Sequence, residues 1–436
     1  MRPSPIIAAA LAALSALPAA AGAQPREASA TVVAVPHFAT ASNEETDAGT
    51  TYTIATQIAD LVTADLKSTA SVIIADTSNV RVPSYPEITA PAYPQWRSVG
   101  AKLLLSGFVN ARSDGRLTIG CYVYDVQSGR ELARQGFAVT TGEWRRAAHR
   151  CADAAYTQAT GDKPLFDSRI VYVAKSGREE SPVKRIAVMD FDGSSHSFIT
   201  EGDATVVTPH WSPKGKRIAY TSFTGGRAHV RVNELASKSD RPLLQTEDPN
   251  FAPAFSPDGV LIALAVASGG NTDIVTVDSA GGIPRRLTTS PSIETSPSWS
   301  PDGTQIAFVS DRSGSPQLYV MNADGTAQRR VSFGTGVYGA PSWSPDGDHI
   351  AFQKVEGPWS RIGVMNANGS EERLLSQGPD DEQPAWSPNG QRVLFQSADA
   401  GTRRTVLSSI PLAGGEARTV STPQDASDPN WSQREE

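Results

Sequence analysis

Cysteine and histidine are scarce in this chain of 436 residues, which carries two of the first and six of the second. The histidines are scattered, and none stands at ligand spacing to another or to a cysteine, so no metal centre built on them is expected. A Gly-x-Ser-x-Gly nucleophile elbow is missing throughout, which removes the commonest acyl-transfer signature. The chain is therefore read as a non-enzyme. A basic stripe is also lacking: 39 Lys and Arg face 46 Asp and Glu, a balance unsuited to nucleic acid. Beyond the first two dozen residues no run approaches the roughly 18 apolar residues of a membrane span.

What is present begins with a leader. Arg2, the apolar stretch Ile6 to Leu17 and the small residues Ala21-Gly22-Ala23 have the pattern of a secretory signal peptide over 1–23. Its removal takes away one arginine, leaving 38 − 46 = −8. Export places Cys121 and Cys151 in an oxidising compartment. There an even count is compatible with a bridge, and equally with two small buried apolar residues. Residues 24–165 read as an α/β domain. Thr31 to Val35 is a strand, Thr53 to Leu66 a helix with an apolar stripe, Leu103 to Val139 a meander, and Gly142 to Thr157 a second helix.

From residue 168 onward the composition changes to a repeat. Trp211, Phe255, Trp299, Trp343, Trp386 and Trp431 follow one another at gaps of 44, 44, 44, 43 and 45 residues, each inside a near copy of Pro-x-Trp-Ser-Pro-Asp-Gly. A period of this size, rich in strands and turns, predicts propeller blades. In the third copy of the full motif, Ser300 to Gly303 supplies a tight turn. Ile306 to Val309 and Leu318 to Met321 are strands, and Asn322 to Gly325 is a second turn. Ile170 to Val173 lacks the turn that normally precedes such a strand, and Pro429 to Ser432 lacks anything after it. The two fragments complete one another, so six blades are expected to close into a ring through the C-terminal strand.

The repeated Ser and Asp are explained by turn chemistry. The aromatics, placed at the start of the innermost strands, are expected to pack between blades. The copies disagree just before each blade proline, at Asn250, Phe251 and Ala252, at Glu294 and Thr295, at Tyr338, at Glu382 and at Asp428. These positions enter the innermost strand at the mouth of the central channel. Variation on a rigid frame marks a binding surface, and an unconstrained loop gives the same variation. Glu294, Asp381, Glu382 and Asp428 also bring carboxylates towards the axis, where Ca²⁺ is the cation such oxygens would suit.

A signal peptide, an α/β domain opening on Val32-Val33-Ala34-Val35-Pro36, and six Trp-Ser-Pro-Asp-Gly blades closed by a C-terminal Trp-Ser together resemble the TolB family of the Gram-negative Tol-Pal system. Trp144-Arg145-Arg146-Ala147-Ala148-His149 is similar to a Trp-x-Arg-x-x-x-His pattern of that family, with the histidine one residue early. The resemblance implies a non-catalytic periplasmic protein. Its propeller mouth would dock the peptidoglycan-associated lipoprotein Pal, and its N-terminal domain would communicate with TolA during outer-membrane constriction. Family contacts to Pal map onto Ala252 and Thr295, with Asn250, Phe251 and Glu294 as neighbours. The TolA-side segment maps onto Gln24-Pro25-Arg26-Glu27, shorter here than in the family. Similar repeats also occur beside serine peptidases, so an accessory or ligand-binding propeller is the alternative.

Overall fold

The computed structural model describes residues 30–432 except 179, 400 and 403. The leader peptide and Gln24 to Glu27 lie outside the described residues. The N-terminal sheet has five strands in the order Val72–Ile74, Thr31–Ala34, Leu103–Ala111, Leu117–Asp125 and Glu131–Val139. The first three are parallel and the rest antiparallel.

Helix α1 spans Thr51–Lys67, where the Thr50 side chain accepts a hydrogen bond from the Thr53 amide and caps the first turn. Its stripe Ile54, Ile58, Val62 and Leu66 is fully buried, the spacing of one helical face. A short helix α2, Tyr93–Ser98, carries Pro in its first turn. Helix α3 spans Trp144–Thr160 and stops at Gly161 with φ +79°, the left-handed cap that glycine adopts without a Cβ penalty. It starts two residues later than expected. Thr140 donates from its amide and hydroxyl to the Glu143 carboxylate, and this box occupies a preceding 3₁₀ turn. Cys121 on the sheet and Cys151 on α3 form a disulfide.

Six four-stranded antiparallel sheets follow. The fourth blade is representative: innermost Glu294–Trp299, then Gln305–Ser310 and Gln317–Asn322, with Arg329–Arg330 at the edge. The Ser300 hydroxyl accepts from the Gln305 amide at 2.9 Å and donates to Asp302 at 2.6 Å. Gly303 at φ +70° closes the turn. These serines are committed to the backbone they fold. Each aromatic ends its innermost strand instead of starting it, because the proline two residues earlier sits inside the strand.

The outer edges are short, and five of the six carry arginine, which discourages edge pairing. Their arginines also bind blades together: Arg241 donates to Ser279 O, Arg285 to Asp324 O and Arg373 to Leu412 O, each on the next blade. In the sixth blade Arg418 donates instead to Ser68 O at the end of α1.

The first blade is closed by the chain's far end. Asp425–Trp431 is antiparallel to Arg169–Arg178, with Ala426 opposite Ala174 and Trp431 opposite Ile170. Trp431 is 6% exposed, and its indole N–H donates to the Ser168 hydroxyl at 2.8 Å. Phe166, Ile170, Trp431 and residues of both α1 and α3 belong to one apolar cluster, so ring closure and domain junction share a core.

Two stability measurements follow. Trp431→Ala leaves a large cavity at that shared core and is expected to cost about 3–5 kcal/mol in denaturant unfolding. Reduction of Cys121–Cys151, which are 30 residues apart, is expected to cost about 2–4 kcal/mol in the same assay.

Candidate partner-binding site

The innermost strands share a backbone irregularity at one end of the channel. Thr208, Ala252, Ser296, Ala340, Gln383 and Asp428, each directly before a blade proline, have φ between +44° and +54°. At each the register with the neighbouring strand shifts, so every blade carries a bulge. Proline suits the bulge because it has no amide to offer the ladder. A left-handed conformation costs a residue with a Cβ about 1–3 kcal/mol and persists only where its surroundings hold it. At three of the six a side chain of a neighbouring blade supplies part of the hold. The Thr208 amide donates to Asp428 Oδ1 at 3.2 Å, the Ala252 amide to Thr221 Oγ1 at 3.1 Å, and the Asp428 amide to Gln396 Oε1 at 2.9 Å.

The bulge decides which side chains reach the mouth. The residues one and two positions before each proline are half-buried, among them Phe251, Ala252, Thr295, Glu382 and Asp428. The residues three before it are buried, and this corrects the expectation for three candidates. Asn250 is 1% exposed and accepts from the Val230 amide of the preceding blade. Glu294 is buried against Arg312. Tyr338 is buried and donates to Glu372, which also holds Lys354. Asp381 is likewise buried. These side chains fasten blades and do not line the channel.

At the axis, Glu382 accepts from Gln396 Nε2 at 2.8 Å. Burial, with the charges of Asp380 and Asp428 adding to it, holds its carboxyl above the usual range. Of the four carboxylates expected to face a channel cation, Glu294 and Asp381 are buried within the blades, and Glu382 and Asp428 stand half-buried at the mouth.

The opposite end of the channel is a chamber of about 1190 Å³, walled by Trp211, Phe255, Trp299, Trp343, Trp386 and Trp431. The walls are tied between blades: Trp386 Nε1 donates to Ser342 O and Trp299 Nε1 to Ala254 O, while the Arg169 guanidinium lies 4.8 Å from the Trp211 ring. His210 lines the same chamber, and burial lowers its imidazole to about 4, so it is neutral near pH 7.

The Trp144 to His149 segment stands at the domain junction. Arg146 and Arg150 both hold Asp167, and Arg145 holds Asp192 at 2.8 Å. Asp153 accepts from the amides of Leu165, Phe166 and Asp167, fixing the linker. His149, scattered from any ligand partner in sequence, meets Asp190 and Asp192 in space within 4.8 Å. With Arg145 also on Asp192, the group forms an ion-pair knot that is buried at His149 and Asp190 and partly exposed at Asp192. His149 Nδ1 lies 2.7 Å from Asp65 of α1. Burial lifts the Asp65 carboxyl to about 6 against the opposing hydrogen bond. For His149, burial opposes protonation, but the Asp65 hydrogen bond and charge outweigh it and raise the imidazole.

Two family profiles match: the TolB beta propeller domain over 156–435 and the TolB amino-terminal domain over 24–132. The chain belongs to the TolB family. Among its relatives, the Tol-Pal system protein TolB of Zymomonas mobilis is 47% identical over 205 residues, 47% of this chain and 45% of that one. Its namesake in Rhizorhabdus wittichii is 46% identical over 196 residues, 45% of each. The aligned part thus spans about half the length of the curated relatives it matches. A crystal structure of TolB from Acinetobacter baumannii superposes with a TM-score of 0.78 at 24% identity, covering 93% of this chain and 97% of that one, which shows the shared fold.

The junction has a pH signature. Asp65 and His149 both bind a proton more tightly folded than unfolded, so the folded state holds extra protons from pH 3.8 to about 6 through Asp65 and above 6.5 through His149. Stability from this pair therefore falls as pH rises through those windows. Asp65→Asn removes the buried carboxyl and with it the charge that raises His149, so it is expected to lower the urea midpoint more at pH ~5 than at pH ~8; an equal or larger loss at the higher pH would contradict the assignment.

Proposed function

We propose that this chain is the TolB component of a Tol-Pal system, a non-catalytic periplasmic dock that binds Pal at the bulged mouth of its propeller. Through that contact, and through communication with TolA by the segment Gln24 to Glu27, it supports outer-membrane integrity and constriction at division. The observation that carries the reading is the set of six left-handed residues before the blade prolines. Strain kept at the same place in every blade, with differing side chains turned to one mouth, is what a preorganised binding rim requires. Family membership and the names of the relatives point the same way. On the non-catalytic side, the repeated serines and aspartates are committed to turn hydrogen bonds.

Within the rim, Phe251, Ala252, Thr295, Glu382 and Asp428 would contact Pal. Asn250, Glu294 and Tyr338 would hold the blades that present them. Thr295 stands half-buried in the mouth, so Thr295→Arg places a bulky cation in the interface while leaving the blade cores intact. Capture of purified cognate Pal by this variant is expected to weaken at least ~100-fold with an unchanged melting temperature. Wild-type affinity in the variant would remove this mouth as the docking site.

A further inference from the structure

The rim of the same mouth is divided into two sectors of different chemistry. Around the fourth and fifth blades it exposes large apolar side chains: Ile293 is 53% exposed, Phe333 72%, Val337 39% and Trp359 45%. The three on the fifth blade are connected through the fold. Val337 pairs with Val355 and Glu356 with Trp359. Thr335, two residues after Phe333, donates to Glu356 at 2.5 Å. Apolar side chains this exposed, gathered beside a preorganised mouth, mark an interaction surface.

The second sector begins where the first ends. Ser360, next to Trp359, donates its amide to Pro379 O and accepts from the Asp381 amide, which brings the exposed Asp380 alongside the tryptophan. Glu382 and Asp428 continue the acid towards the axis. Among the described residues no Lys or Arg is ion-paired with any of these three, although Arg312, Lys354 and Arg404 are paired elsewhere on the same face. Three neighbouring carboxylates without a protein cation call for one from outside.

We propose that this rim recognises a partner surface on which an apolar ridge lies beside a basic group, and that the two sectors together set the rotation in which the partner seats about the channel axis. The inference rests on docking at this mouth and names Pal as the occupant. The apolar sector supplies affinity, because a half-exposed Trp and an exposed Phe become desolvated anchors. The acidic sector supplies steering and orientation, because rim charges act on encounter and on register.

The test is binding of purified cognate Pal by biolayer interferometry at ~50 and ~300 mM salt, where screening differs severalfold. Phe333→Ser with Trp359→Ser is expected to weaken binding at least ~30-fold at both salts. Asp380→Asn with Glu382→Gln is expected to weaken it ~3–10-fold at low salt and to flatten the salt dependence. If Thr295→Arg abolishes capture while both double variants bind within twofold of wild type, docking at the mouth stands and the two-sector rim is overturned. If wild type fails to capture Pal, both fall. A loss in the apolar variant with an unaltered salt slope in the acidic one overturns the orienting role of the carboxylates.

Discussion

Ring closure by the strand Asp425–Trp431 is the constraint from which the rest of the molecule takes its shape. Five blades are made from consecutive sequence, whereas the first borrows its innermost strand from a segment more than 240 residues downstream. Without that pairing the strand Arg169–Arg178 would present a long unpaired edge, and the channel would lose one of its six walls. With it, the bulges on either side of the seam are stabilised: Asp428 of the closing strand supports Thr208 of the second blade and is itself supported by Gln396 of the sixth. The strained residues Thr208 and Asp428 thus depend on the seam being closed.

Closure and the six-blade count were legible because they rest on periodicity and on complementary fragments. A gap that stays at 43 to 45 residues through six aromatics has few explanations other than repeated sheets, and a strand without its turn must find a turnless partner. The sidedness of the rim was less legible. A regular strand alternates its faces with period two, and the bulge at Thr208, Ala252 and their counterparts turns two consecutive side chains towards the channel. No residue type announces this: threonine, glutamine and aspartate all occupy the left-handed position, and at Thr208, Ala252 and Asp428 the amide is held by a side chain of another blade. Asn250, Glu294 and Tyr338 were therefore placed at the mouth, although they are buried among the blades.

Two further features escaped for different reasons. Arg241, Arg285, Arg329 and Arg373 recur at the same interval of 44 as the aromatics. A polar residue in an outer strand reads as solvated surface until its reach to the next blade is seen. The knot around His149 could not be assembled from sequence because Asp65 lies 84 residues away on another helix. The disulfide was left open for the same kind of reason, since pairing is a matter of distance and two cysteines alone say nothing about it.

The first blade also connects the mouth to the domain junction. Asp428 stands at the rim, and three residues later Trp431 is held by Ser168 and packs in the cluster shared with α1 and α3. The neighbouring turn carries Asp190 and Asp192, which face His149. Close-packed interiors transmit displacement instead of absorbing it, so a partner that shifts the closing strand at Asp428 must also strain its other end against the N-terminal domain. The sixth blade is also tied to the N-terminal domain, by Arg418 at the end of α1, by Asn389, whose side chain faces Tyr156 of α3, and by Leu394 and Leu407 in the shared cluster. These contacts between propeller and N-terminal domain thus gather at the sixth and first blades, on the side where the rim carries its carboxylates.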